Sequence, residues 1–191
     1  MSDIVALLVG AALVNNAALI AMLGFDRARV DDVGGASVFG TLCALAVTLV
    51  AALYQPLARV LPFGELVALQ GAALVLVVAA AVALVAQLVA RAFAPLEAIM
   101  RGRWLAVAGN AAVIGGALIA LRPGRGYAAT LVVAFGSGAG YALVLTMLAA
   151  MRRRFAHDDV PHAFRGAPLD LLTAGFMALA FMGFAGVAPA P

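Results

Sequence analysis

Apolar residues run along this chain in six long blocks, near 3–23, 36–54, 66–90, 104–121, 128–150 and 169–187, and the polar residues collect in the short gaps between them. A helix needs about 20 consecutive apolar residues to cross roughly 30 Å of hydrocarbon. The pattern therefore predicts six membrane-spanning helices and almost nothing else. Two blocks carry strongly polar residues in mid-run: Asn15 and Asn16 interrupt the first, in ALVNNAALI, and Asn110 interrupts the fourth, in GNAAVI.

Composition agrees with the pattern. Of 191 residues 66% are hydrophobic and 11% charged, far from the roughly half-apolar usage of a soluble domain. The expectation is an all-α integral membrane protein, with one membrane domain over 1–191 and no soluble domain or long linker. Its halves resemble each other. Asn16-Ala17-Ala18-Leu19-Ile20 recurs as Asn110-Ala111-Ala112-Val113-Ile114, 94 residues further on. Three helices per half is an odd number, so the second half enters the membrane from the opposite face, giving an inverted repeat of residues 1–95 and 96–191. Such repeats often break their equivalent helices near the midplane, where freed backbone groups line a site instead of facing lipid. On that reading the first and fourth helices are broken, and Asn15, Asn16 and Asn110 belong to a central site. The plainer alternative is that these asparagines only bond between helices, an effect of about 0.5–2 kcal/mol each.

Charge adds orientation. The net charge of +3 comes with arginine as the only basic side chain apart from two histidines. Arg59, Arg122 and Arg125 fall on one side of the predicted spans; Arg27, Arg29, Arg91, Arg101, Arg103, Arg152, Arg153, Arg154 and Arg165 fall on the other. The positive-inside rule makes the second side cytoplasmic, so both termini are expected to face outward. The N-terminal MSDIVALL lacks a basic leader region, and no small-residue cleavage site followed by polar chain ends the first run, so the first helix is expected to remain in the mature protein.

Candidate chemistry is sparse. The nine carboxylates, Asp3, Asp26, Asp31, Asp32, Glu65, Glu97, Asp158, Asp159 and Asp170, all fall in predicted loops or at helix ends, so no buried acid is at hand as an ion carrier. Gln70 and Gln87 are the strongly polar residues of the third block. His157 and His162, with Asp158 and Asp159, read as a solvated charged loop rather than a metal site. Cys43, the sole cysteine, reads as a small packing residue. Glycines in FGSGAGY (Gly136, Gly138, Gly140) and MGFAG (Gly183, Gly186) are expected to let helices approach closely. The Met and Phe residues of 176–184 suit a bundle core or subunit interface, and Trp104, Tyr54 and Tyr127 suit the water boundary. There is no phosphate loop, nucleophile elbow or cysteine pair, so this chain alone has no recognisable catalytic site.

Three segments, LVNNAALIAMLG at 13–24, AAMRRRFAHDDVPHAFRG at 149–166 and LTAGFMALAFMGFAG at 172–186, resemble the A-type membrane component of the Rnf (Rsx) electron-transport complexes. That family includes the related E-type component and the D- and E-type components of the sodium-pumping NADH:quinone reductase. The resemblance covers essentially the whole chain. It implies a bacterial inner-membrane protein, without flavin of its own, in a multisubunit translocase that couples ferredoxin/NAD electron transfer to sodium or proton movement. It also implies pairing with a homologous six-helix (E-type) partner, flavin and iron-sulfur groups on other subunits, and an iron-sulfur cluster shared within the pair through cysteines of the broken helices. Thiolates suit iron as soft anionic ligands. Here the two ligand positions fall on Asp26, in LGFDRAR, and Ala111, in GNAAVIG. The acidic residue the resemblance places before Arg91 is Gln87. The expectation is a chain that keeps the frame without the usual cluster ligands, whose metal content the sequence leaves unknown. Two alternatives stay open: a repurposed paralogue serving as a scaffold, and a small inverted-repeat transporter binding a neutral solute at Asn16 and Asn110.

Overall fold

In the computed structural model the described residues are 2–22, 32–60, 75–77, 79–80, 84, 106–107, 109–122, 124–155 and 160–186. They form helices and turns, with no strand among them. Asp26, Gln70, Gln87, Trp104, His157, Asp158 and Asp159 lie outside the described residues, as does most of the third predicted span.

Helix α1, Ser2–Val9, continues as a π-helical turn over Gly10–Val14 and stops at the two asparagines, after which α2, Ala17–Ile20, starts afresh. Helix α3 covers Val33–Val60, α4 Ala111–Ala120, α5 Tyr127–Phe155, and α6 Ala167–Met182, with a 3-10 turn at His162–Phe164 before it. At about 1.5 Å per residue, α4 is roughly half as long as the hydrocarbon is thick. Two helices are long and apolar enough to span it, over Val33–Tyr54 and Tyr127–Phe155. The remaining described helices are shorter, so six full spans are not what these residues display.

Each end of the bundle has its own polar fastenings. Asp32 opens α3 by accepting the Gly35 N–H at 3.1 Å, which satisfies one of the orphan donors of a first turn. Arg152, in the last turn of α5, grips Asp170 in the first turn of α6 through two parallel bonds of 2.7 and 2.8 Å. Arg153 lies 3.9 Å from Asp32 on the exposed surface. The start of α3, the end of α5 and the start of α6 therefore share one end, which carries Arg152, Arg153, Arg154 and Arg165. At the other end Arg125 donates to the carbonyls of Ile119 and Ala120, both at 3.0 Å, closing the C-terminus of α4. Pro56 lies inside α3 and has no N–H to give the carbonyl four residues back. That carbonyl belongs to Ala52, and the Tyr127 hydroxyl donates to it at 3.2 Å.

Helices α3 and α5 run antiparallel and make the most extensive contact among the described helices. A Cβ on Gly40 would lie 2.6 Å from the Ala142 Cα, and one on Gly138 would lie 2.5 Å from the Ala44 Cα, so the two backbones touch at two glycine-alanine crossings. Gly136 and Gly140, one helical turn apart, face the other way: a Cβ at 136 would meet Ala11 Cβ and the Leu8 carbonyl at 3.0 Å, and one at 140 would strike the Ala12 carbonyl. The glycines of FGSGAGY thus serve both neighbours of α5, α3 on one side and α1 on the other. Those of MGFAG do not. Gly186 has nothing within 4 Å and Gly183 meets only its own Ala180 carbonyl, because they follow the end of α6 rather than cross a helix. The Met and Phe residues there divide by face: Met177 and Phe181 are buried, while Phe176, Met182 and Phe184 point outward with Leu171, Leu172 and Leu179. An apolar exterior of this kind suits lipid, which cannot satisfy polar groups.

Candidate functional site: two asparagine-capped helix breaks

Both breaks begin with an asparagine whose backbone and side chain close the turn that follows. The Asn16 carbonyl accepts from Leu19 and Ile20 at 3.1 and 2.9 Å, and the Asn110 carbonyl from Val113 and Ile114 at 2.9 and 3.2 Å. The Asn16 Oδ1 accepts the Ala18 N–H at 3.0 Å, and the Asn110 Oδ1 accepts the Ala112 N–H at 2.8 Å. In each case the partners stand two, three and four residues ahead. This is N-capping carried out inside an apolar bundle, where the backbone donors of a new first turn find no water. Both asparagines are fully buried, at 0% exposure, and α2 packs against α4, α5 and α6. Asn15 is different: its N–H donates to the Gly10 carbonyl at 2.7 Å, closing the π-helical turn, and the residue is exposed. Of the three asparagines read from the sequence, the structure brings two, Asn16 and Asn110, into buried caps and leaves the third on the outer side.

The free ends of the two carboxamides part company. Asn16 Nδ2 returns to its own segment, donating to the Ala12 carbonyl at 2.7 Å. Gly140 makes room for this, since a Cβ there would lie 2.8 Å from Asn16 Nδ2. Asn110 Nδ2 instead leaves its segment and donates to the Tyr141 hydroxyl on α5 at 2.8 Å and to the Cys43 sulfur on α3 at 3.6 Å. Cys43 and Tyr141 are 1% and 4% exposed. Neither was singled out as a partner of Asn110 by sequence; 67 and 31 residues separate them from it. The available signal was a shared register, Gly40 to Cys43-Ala44 against Gly138 to Tyr141-Ala142. One turn before Tyr141 sits Ser137, whose Oγ is, among the described residues, the buried side-chain polar atom that lacks a hydrogen-bond partner.

Ala111, next to Asn110, is exposed. The side chain that begins α4 on the outer surface is thus a methyl group, while the thiol of Cys43 is enclosed between α3, α4 and α5. Residues that hold an iron-sulfur cluster must present soft, anionic ligands to one shared space. At the second break the described residues do not fit that requirement, and they contain no group of three or more His, Cys, Asp or Glu side chains placed to hold a metal ion.

An α-helical membrane protein in which two buried asparagines cap helix starts inside an apolar bundle is the class these features define. More narrowly, the chain belongs to the Rnf-Nqr family, described as Rnf-Nqr subunit, membrane protein, whose model matches residues 4–188. It is 38% identical over 195 residues to the A-type component of the ion-translocating oxidoreductase complex of Cereibacter sphaeroides, covering 99% of this chain and 100% of that protein. The proteins of the same name from Alcanivorax borkumensis and Azoarcus sp. are 38% and 34% identical over 194 and 196 residues, with 98% of each chain covered in both comparisons. The family read from three short segments is the family the whole chain matches.

Proposed function

We propose that this chain is the A-type membrane component of an Rnf-type ion-translocating oxidoreductase, seated in the bacterial inner membrane with both termini on the outer side. There it pairs with a homologous six-helix protein and works beside flavin- and iron-sulfur-bearing partners that pass electrons between ferredoxin and NAD as sodium or protons move. The observation that carries this reading is the pair of buried, identically capped helix breaks at Asn16 and Asn110 in a chain that matches A-type components along its whole length.

The inverted repeat belongs to the same reading. Two features support it: the caps repeat at a step of 94 residues, and the crossings Gly40 on Ala142 and Gly138 on Ala44 exchange partners when each residue is advanced or set back by 98. A two-fold relation between halves produces such an exchange. In this arrangement residues 1–95 and 96–191 meet at the breaks, and the electron route draws no thiolate ligand from Ala111. Asp26 remains the chain's carboxylate at the first ligand position.

The donor set at the second break favours one other reading, a redox-silent paralogue that keeps the frame as a scaffold. A solute transporter is less well supported, because both carboxamides are spent on protein groups and offer a neutral solute little to bind. Purifying the complex from native membranes, with its proteins identified by mass spectrometry, separates these readings. Flavin-bearing and ferredoxin-like partners together with a second six-helix protein are the expected result; a chain that purifies without redox partners overturns the translocase assignment.

A further inference from the structure

The carboxamide of Asn110 has two ends with different demands. The Ala112 N–H only donates, so Oδ1 must face it. Nδ2 then points inward, where it meets two acceptors from different helices: the Tyr141 hydroxyl at 2.8 Å and the Cys43 sulfur at 3.6 Å. Of these the oxygen is the stronger acceptor and the closer, and sulfur accepts weakly. A flipped carboxamide would set Nδ2 against the Ala112 N–H, donor against donor, with no water in the bundle to relieve it.

Cys43 and Tyr141 occupy the same register beside the two glycine-alanine crossings. Each stands three residues after the glycine, at 40 and 138, and immediately before the alanine, at 44 and 142. The close approach of α3 and α5 thereby brings both side chains to one carboxamide. The first break draws its corresponding bond from Ala12, four residues away on the same segment. The second break has its orientation set by the bundle.

We infer that Tyr141, with Cys43 in a lesser part, is a positioning residue for the second break. It holds the Asn110 carboxamide so that the N-terminus of α4 is capped and Ala111 stays on the outer face. This rests on the proposed function only in taking that face as the one offered to a six-helix partner; the orientation itself is a property of this chain.

The test uses the intact membrane complex in lipid nanodiscs, carrying Tyr141→Phe, Cys43→Ala, or Tyr141→Phe combined with Cys43→Ser, with amide hydrogen exchange followed on peptides covering 108–116 and 14–21. Tyr141→Phe keeps the ring and removes the acceptor, so exchange at Ala112 and Val113 is expected to rise about tenfold while Ala18 and Leu19 stay unchanged. Cys43→Ala alone should raise it about twofold. Adding Cys43→Ser to Tyr141→Phe supplies a hydroxyl acceptor from the other side and should recover part of the protection. Unchanged exchange in Tyr141→Phe, or an equal rise at both breaks, overturns the assignment. If Tyr141→Phe prevents assembly, Cys43→Ala and Cys43→Ser in the otherwise native complex decide the matter: the serine variant must protect Ala112 better than the alanine variant, and equal exchange overturns the inference. Because the readout is local protection, it stands or falls separately from whether the purified complex contains redox partners.

Discussion

At the first break Asn16 turns both ends of its carboxamide back onto its own segment, to Ala12 and to Ala18, whereas at the second Asn110 caps its own helix and sends the other end to α3 and α5. The caps are alike because the problem is alike: a helix that restarts inside an apolar bundle leaves N–H groups that water cannot reach. The supports differ because the approaches differ. Gly140 lets α5 press against the Ala12 carbonyl beside Asn16, leaving little space for a side chain to reach in. Around Asn110 the neighbours carry side chains, a thiol and a phenol. Similar sequence at two places 94 residues apart thus yields one self-contained break and one registered by the rest of the fold.

The sharpest way to break the first site alone is Gly140→Val. Its Cβ has no space between the Ala12 carbonyl and Asn16 Nδ2, and one side of that conflict is backbone, so a loss of about 3 kcal/mol is expected, visible as a large fall in the melting temperature of the detergent-purified protein. Next is the pair Asn16→Leu with Asn110→Leu. It removes both caps, each worth about 1 kcal/mol, and should lower the yield of assembled complex on native gels; unchanged yield and activity would count against the broken-helix account. Tyr127→Phe is remote from both breaks and uncovers the Ala52 carbonyl at Pro56, for about 1 kcal/mol. It should lower the melting temperature without changing amide exchange at Ala18 or Ala112. The smallest effect is expected from Gly116→Ala in α4. The added methyl meets Val47 and Ser137 at 3.5–3.7 Å, ordinary contact, and alanine is the better helix former, so a gain of up to about 0.5 kcal/mol is expected in the same melting assay.

Much of this frame was legible in the chain. A polar residue in mid-span is costly unless it has partners; together with the recurrence of the Asn16 segment at Asn110, that marked Asn15, Asn16 and Asn110 as a candidate site in broken helices, and the structure buries Asn16 and Asn110 as caps of helix starts. The arginine pattern put Arg152, Arg153, Arg154 and Arg165 on one side, and the Arg152–Asp170 pair gathers the corresponding helix ends there. What stayed hidden depended on rotation and on long-range meeting. Asn15 and Asn16 are adjacent, yet a change of backbone conformation between them puts one outside and the other inside. Gly136 and Gly183 look equivalent as letters, but one lies at a helix crossing and the other past a helix end. Cys43 read as packing, and it is buried; that its sulfur meets the second cap follows from a crossing that no local pattern encodes. Tyr127, the partner of the Ala52 carbonyl that Pro56 leaves unbonded, was legible only as a boundary aromatic.

The central claim is that this Rnf-Nqr family member keeps two asparagine-capped breaks while its one thiol is enclosed inside the bundle, away from the outer face where Ala111 begins α4. The most direct test is to replace that thiol. Iron and acid-labile sulfide would be measured on the native membrane complex and on a Cys43→Ser complex. Equal values in the two preparations are the predicted result, whatever the absolute content contributed by other proteins of the complex. Loss of iron and sulfide on Cys43→Ser, with assembly intact, would show that Cys43 reaches a cluster and would contradict the account.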